Sequence, residues 1–358
     1  MTYREQNRPL VISFAQQPLI RQMVSHFPLL DVRFVDDIAA SQRLGIYDQA
    51  VCMIAAGNPV NSHTLTPWHH LQFVQTLGSG YNNLDMAELR RRGIVAAHNP
   101  GHNAQAVAEH VLMSAMYLLR NMGAAHQMVT QARFSDRQRL AGQIQDLNGL
   151  TLGIYGFGYI GKALARLSLP FDVHILYHQR HPVPDWERQY GVQYVSADEI
   201  WRSSDIVVLT VPLTEATYHL ASNSQFDMMK STAIVINVGR GPVVDEKALA
   251  QALIDQKIAG AALDVFESEP IDPNSPLLHL PEPIRHRVLF SPHVSGVTRQ
   301  ALQKMIKGAL DNVQRFVNHE PLLHQLLPEE HINPWDWRDG VLQKLSASHP
   351  SGESVDIH

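Results

Sequence analysis

The hexapeptide GFGYIG at 156–161 has the spacing G-x-G-x-x-G and lies between an apolar run, TLGIY, and a stretch of good helix formers, GKALARL. In a strand–turn–helix of this kind each glycine has its own mechanical role. Gly156 makes the tight turn, Gly158 lets backbone approach a pyrophosphate, and Gly161 lets the helix pack on the strand. The N–H groups at the helix start then face the phosphates. The context points to a bound dinucleotide, and a glycine-rich turn without a ligand is the plain alternative. The choice of dinucleotide falls about twenty residues further on, where an Asp or Glu ending the second strand would accept hydrogen bonds from the ribose hydroxyls of NAD. Here VHILYH runs into Gln179, Arg180 and His181, with no carboxylate. A carboxylate would repel the 2′-phosphate of NADP, whereas Arg180 can pair with it through a charge-assisted fork. The reading favours NADP(H), with NAD(H) still possible if Arg180 is only a solvated loop residue.

Chemistry of this kind needs strands and helices to carry it, and the chain reads as two successive sets of them. From Leu10 to Ala97, short apolar runs such as LVISF, VRFV, AVCMIAA, LQFVQTL and GIVAA alternate with amphipathic stretches, the pattern of an open parallel α/β sheet. AQAVAEHVLMSAMYLLRNM at 104–122 has no Pro or Gly and predicts a buried or interfacial helix. The polar stretch to about Leu147 reads as a connector. From Leu150 a stronger βα pattern follows, with candidate strands in LTLGIYGFG, VHILYH, IVVLTV, TAIVIN, AGAALDVF and RVLFSPH, so that 103–291 forms one doubly wound unit. The helical stretch 298–318 is placed back in the first domain. The last 28 residues, with Trp335 and Trp337, end in a polar, turn-rich sequence expected to be loosely packed.

At 358 residues the chain has room for two domains, and 45 % hydrophobic with 18 % charged residues sets it apart from disordered sequences. A net charge of −5 gives no attraction for phosphate backbones, so nucleic acid is not an expected partner. The short run Arg90-Arg91-Arg92 precedes Gly93 at a helix end, where cations suit the dipole. The single cysteine, Cys52, excludes an intrachain disulfide and fits a reducing compartment. No stretch reaches the ~20 apolar residues of a membrane span, and the expected location is cytoplasmic. No metal site is expected.

Three more segments bear reactive side chains: INVGRGPVVDE at 236–246, ALDVFESEP at 262–270 and SPHVSG at 291–296. Singly, an Arg after an apolar strand is often a surface ion-pair partner, a lone His is often packed or solvated, and a Glu before Pro is often part of a turn. In this order and spacing, however, they and GFGYIG resemble the D-isomer-specific 2-hydroxyacid dehydrogenase family. LGSGYNNLD at 77–85, PGHNAQAVAEHVL at 100–112 and VPLTEATYHL at 211–220 extend the likeness to about Pro328.

The resemblance implies a catalytic set of Arg240, Glu269 and His293. Arg240 would hold the substrate carboxylate and carbonyl oxygen with its planar fork. His293 would give the proton in reduction and take it in oxidation, because imidazole titrates near working pH. Glu269 would hold the other ring nitrogen. It also implies that Ser79 and Gly80 form a substrate loop whose backbone N–H groups bind a carboxylate, and that Asp264 lies near the nicotinamide carboxamide. Val211 and Pro212 would flank the adenosine, while Val238 and Gly239 would line the nicotinamide side. The full set of cofactor candidates adds Phe157, Tyr159, Ile160, Thr217, His293 and Gly296 to these, to the three glycines and to Gln179 and Arg180.

The implied architecture is a Rossmann-type cofactor domain plus a flavodoxin-like substrate domain, both doubly wound parallel sheets, with the site in the cleft between them. Residues 1–102 and 292–330 would form the substrate domain, 103–291 the dinucleotide-binding domain and 331–358 a tail, and the chain would form a homodimer. The implied function is hydride transfer between a nicotinamide cofactor and a small 2-keto or 2-hydroxy acid, in the manner of the NADPH-using glyoxylate/hydroxypyruvate reductases. Family phosphite dehydrogenases carry a Lys before the Gly-Tyr of the substrate loop, which Ser79-Gly80-Tyr81 lacks. A dinucleotide-sensing binding protein of the corepressor type is the alternative from another class.

Overall fold

A computed structural model describes residues 8–326. The tail with Trp335 and Trp337 lies outside the described residues. Contacts divide the chain into two compact units, one of residues up to Pro100 and from Gln303 onward, the other Gly101–Leu302.

The first unit is a five-stranded sheet of β1 (Leu10–Ser13), β2 (Asp31–Phe34), β3 (Cys52–Ala55), β4 (Phe73–Thr76) and β5 (Val95–Ala97), in the order β2-β1-β3-β4-β5. Every pairing is parallel, with Val11 opposite Cys52, Cys52 opposite Phe73 and Phe73 opposite Val95. The interior strands β1, β3 and β4 are buried at every residue, as both covered faces of a parallel sheet require. At the edge, β2 buries only Phe34. Burial pushes the Cys52 thiol up to about 12, the state of an inert core residue. The helix Arg299–Val317 enters this core with Phe316 stacked on Phe73 at 4.8 Å, and Asn312 donates to the buried Gln75 at 2.7 Å. The Arg triplet closes the helix Met86–Arg91: Arg91 and Arg92 donate to Glu88 at 2.7 and 2.6 Å and hold its carboxyl at about 2.

The second unit is a seven-stranded parallel sheet of β6 (Thr151–Tyr155), β7 (His174–His178), β8 (Gln193–Tyr194), β9 (Ile206–Leu209), β10 (Ile234–Asn237), β11 (Gly260–Leu263) and β12 (Val288–Phe290). Its order is β12-β11-β10-β9-β6-β7-β8, so the winding reverses between β6 and β9. The carboxyl ends of strands at such a reversal form the crevice where this class of sheet binds ligands. The helix Ala104–Leu119 buries Ala104, Ala108, Val111, Ala115 and Leu119, and its small residues let it pack closely on the helix Tyr159–Ser168. The stretch read as a connector contains a helix, Met122–Thr130, and a 3₁₀ segment, Phe134–Leu140. The sequence MGAAHQMVT is rich in helix formers, and none of its residues is fully buried, so propensity rather than core packing makes this helix. Among the described residues no helix is long and apolar enough to cross a membrane.

Candidate active site

The dinucleotide turn joins β6 to the helix Tyr159–Ser168. Gly156 sits at φ +100°, and a Cβ there would lie 2.9 Å from Val211 Cγ1 and 3.0 Å from the backbone of Thr210. A Cβ at Gly161 would lie 2.4 Å from the Gly156 carbonyl oxygen, so the helix rests directly on the turn. Gly158, the N-cap, faces open space, with no described atom within 4 Å of where its Cβ would be. Two closed glycines and one open one leave a cradle at the helix start that fits a pyrophosphate. Thr210, just past β9, donates Oγ1 to the Gly156 carbonyl at 2.6 Å and braces the turn from the neighbouring strand. Phe157 is turned inward, stacked on Tyr177 at 4.2 Å, while Tyr159 is exposed over Gly101 and Ile160 packs against the core.

Past β7, the Gln179 side chain donates to the His181 carbonyl at 2.7 Å, and Arg180 is exposed. Across the reversal, Val211 is half-buried and Pro212 exposed. Thr217 closes that loop, donating to the Pro212 carbonyl at 2.7 Å and accepting from Thr214 N–H at 2.8 Å. Val238 is buried, and a Cβ on Gly239 would stand 2.7 Å from the Val211 carbonyl.

At the ends of β10 and β11 the polar groups converge. Asn237, fully buried, accepts from Gly239 N–H at 3.1 Å and donates to the Arg240 carbonyl at 2.9 Å, which clamps the GRG turn. A Cβ on Gly241 would fall 1.7 Å from the Phe266 carbonyl oxygen, so only glycine lets the turn lie against the following loop. The Arg240 guanidinium donates to the Gly239 carbonyl at 2.7 Å; burial lowers its pKa, and the charge of Glu269 opposes that shift. Asp264, buried beyond β11, accepts on Oδ1 from Ser291 Oγ at 2.6 Å and Val294 N–H at 2.9 Å, and on Oδ2 from Ser295 N–H at 2.9 Å.

Those donors flank His293, which sits at φ +54° and gives its own N–H to the Asp264 carbonyl at 2.8 Å. Left-handed backbone costs a residue with a Cβ about 1–2 kcal/mol, and the Asp264 bonds offset it. The His293 ring meets Glu269, Nδ1 to Oε2, at 2.7 Å, with both side chains about half exposed. Partial burial would raise the Glu269 carboxyl, but the hydrogen bond and charge of His293, the Phe266 N–H at 3.2 Å and the Arg240 charge outweigh it and hold the pKa below its ordinary value. Arg240, Glu269 and His293 therefore occupy one corner. Gly296 ends the loop, where a Cβ would lie 2.5 Å from Asn103 Nδ2.

In the first unit, the carbonyl of Gly78 accepts from Thr76 Oγ1 at 2.6 Å and Asn99 N–H at 3.1 Å, and that of Ser79 accepts from His98 Nδ1 at 3.1 Å. Among the described residues no acceptor takes the N–H of Ser79 or Gly80. The Gly78 and Ser79 carbonyls are thus tied while the Ser79 and Gly80 N–H groups are to spare, an arrangement that suits an anion.

The model of the D-isomer specific 2-hydroxyacid dehydrogenase NAD binding domain matches residues 112–295, the stretch that carries the cradle and the corner of Arg240, Glu269 and His293. The chain belongs to the D-isomer specific 2-hydroxyacid dehydrogenase family. It is 34 % identical over 309 residues to glyoxylate/hydroxypyruvate reductase B of Citrobacter koseri, covering 86 % of this chain and 94 % of that protein. Glyoxylate reductase of Korarchaeum cryptofilum is 36 % identical over 264 residues, 74 % of this chain and 78 % of its own. A crystal structure of D-lactate dehydrogenase from Aquifex aeolicus with NAD and lactic acid superposes with a TM-score of 0.77 at 25 % identity, covering 87 % of this chain and 96 % of that one. This dehydrogenase is therefore a hydride-transferring, NAD(P)-dependent oxidoreductase built on two parallel-sheet α/β units.

The motifs do not single out Thr210, Asn237 and Ser291, which brace the turns and loop of the second unit, or His98, which ties the Ser79 carbonyl in the first. All but His98 lie within or beside the quoted motifs, and the signal available for them was a polar residue at the end of an apolar strand.

Proposed function

We propose that this dehydrogenase reduces a small 2-keto acid of the glyoxylate and hydroxypyruvate kind, with NADPH preferred over NADH. The observation that carries the chemistry is the 2.7 Å contact between His293 Nδ1 and Glu269 Oε2. Glu269, held ionised, can only accept, so Nδ1 carries the proton and Nε2 is the ring atom available to substrate. The reduced nicotinamide, when bound, supplies the hydride to the carbonyl carbon. In the imidazolium form, His293 Nε2 hands its proton to the carbonyl oxygen, and the neutral ring takes it back in the reverse direction. Arg240, always charged and partly desolvated, holds carboxylate and carbonyl oxygen and draws electron density from the carbonyl. Ser79 and Gly80 offer their N–H groups to the substrate carboxylate. Gly156, Gly158 and Gly161 carry the pyrophosphate, Val211, Pro212 and Thr217 the adenosine side, and Val238 and Gly239 the nicotinamide side.

The cofactor preference rests on Arg180, exposed after β7 with no carboxylate in 178–181. A homodimer is supported by the large apolar side chains exposed on neighbouring helices, Met113, Met116, Met122 and Val129, a patch of the kind that marks an interface. Light scattering on the purified protein tests it, and a monomer at micromolar concentration refutes it. The function itself is tested by following loss of reduced-nicotinamide absorbance with NADPH and NADH in parallel against glyoxylate, hydroxypyruvate, pyruvate and phenylpyruvate. Rapid NADPH oxidation with one of the first two acids is the expected result. A preference for NADH overturns the reading of Arg180, and no turnover with any of the acids overturns the substrate class.

A further inference from the structure

His110 lies mid-way along the buried helix Ala104–Leu119, and it is only partly buried. Its Nε2 stands 3.2 Å from Ser291 Oγ, and that oxygen is 2.6 Å from Asp264 Oδ1. A carboxylate accepts and cannot donate here, so the single proton of the Ser291 hydroxyl points at Asp264. The lone pairs of the same oxygen are then left for His110, whose Nε2 must carry hydrogen. The direction of the chain is thereby settled: His110 Nε2–H to Ser291 Oγ–H to Asp264.

Asp264 is also the acceptor for Val294 and Ser295 N–H, and its carbonyl takes His293 N–H. These are the bonds that keep His293 in its left-handed backbone state with the ring on Glu269. We infer that His110 is a positioning residue, which locks the Ser291 hydroxyl onto Asp264 and through it fixes the loop that aims His293. The helix Ala104–Leu119 packs against β10, β11 and β12, so the anchor point is a rigid element rather than another loop. Without the His110 donor, the Ser291 hydroxyl is free to turn and polarises less strongly toward Asp264, and the loop gains freedom at the carboxylate that orders it. The inference rests on the reading of His293 as the proton donor, and it makes a separate claim about loop order that does not.

Two readouts test it. In His110→Leu, which keeps bulk and removes the donor, turnover of the 2-keto acid with NADPH falls about 3- to 10-fold, the loss of one neutral hydrogen bond, with KM for NADPH unchanged within twofold. In His110→Gln, whose amide N–H reaches the place of Nε2, most of that turnover returns. Amide hydrogen exchange of Val294 and Ser295 in the cofactor-free protein speeds up in the Leu variant and not in the Gln variant. Should the Leu variant fail to fold, His110→Ala in the wild-type and Ser291→Ala backgrounds gives the same answer, because the effect of removing the His110 donor vanishes once Ser291 Oγ is gone.

Wild-type turnover and exchange in His110→Leu overturn the inference, as does equal impairment of the Leu and Gln variants, which marks a packing role. Additive effects in the Ser291→Ala background overturn it too. Full turnover in His293→Ala instead sinks the mechanism while leaving the exchange result to decide the loop claim.

Discussion

The two ends of the cofactor sheet are built on opposite principles. At β10 and β11 the corner of Arg240, Glu269 and His293 is over-determined: Asn237 and Asp264 are buried carriers of several hydrogen bonds each, Gly241 has no space for a methyl group, and His293 is held in a backbone state that its own Cβ disfavours. At the end of β7, Gln179 makes one local hydrogen bond and Arg180 stands in solvent. On the proposed function, the difference follows from what each end would have to do. Proton transfer and hydride transfer need reacting groups placed to a fraction of an ångström, and only packed, non-local contacts achieve that. Discrimination at the ribose needs a charge of the right sign within reach, and a flexible exposed side chain supplies it.

The largest effect that would separate the two ends is on the proton. His293→Ala is expected to lower turnover by about 10²–10⁴, the range for a positioned general acid, in steady-state assays with saturating cofactor. Turnover near wild type would mean that the tightly held corner serves structure alone. Next comes the backbone itself. A Gly241→Ala methyl would meet carbonyl atoms that no rotamer can clear, so the GRG turn must shift, and kcat should fall roughly 10²-fold, as for a displacement of about 1 Å at a reacting group. An alanine variant within a factor of three of wild type would show the corner to be looser than its contacts imply.

At the permissive end, Arg180→Ala should raise KM for NADPH about 10-fold or more, the loss of a charge-assisted contact, and leave KM for NADH within twofold. Equal changes for both cofactors would remove Arg180 as a reader of the 2′-phosphate. The smallest expected effect is on stability. Because the folded protein holds the Glu269 carboxyl below its ordinary value of 4.5, its ionised form is favoured by folding. That contribution is present in full above the unfolded-state value and fades as pH drops through the lower folded-state one. Melting temperatures of wild type and Glu269→Gln should thus differ modestly near pH 7 and draw together as the pH falls below 4.5, and a gap that widens in acid would contradict the sign.

Much of this dehydrogenase is legible in its residue order. Continuous apolar runs of four or five residues predict the buried parallel strands, because both faces of such a sheet are covered. GFGYIG predicts a turn that needs glycine, and a missing carboxylate after the next strand is a fact of sequence in any conformation. These features act locally, within one strand and the turn that leaves it.

Other features had no local signature. Nothing near Thr210 says that it will brace Gly156, 54 residues earlier, and nothing near His110 says that it will meet Ser291, 181 residues later. The family resemblance implies a place for Asp264 near the nicotinamide, but says nothing of the direction of its hydrogen bonds, and both its carboxylate oxygens are turned to the His293 loop. Residue types and spacing determined which chemistry this protein could attempt. Tertiary structure alone decided which polar side chains restrain it, since hydrogen-bond direction and backbone state are chosen when distant segments pack and every buried donor must find its acceptor.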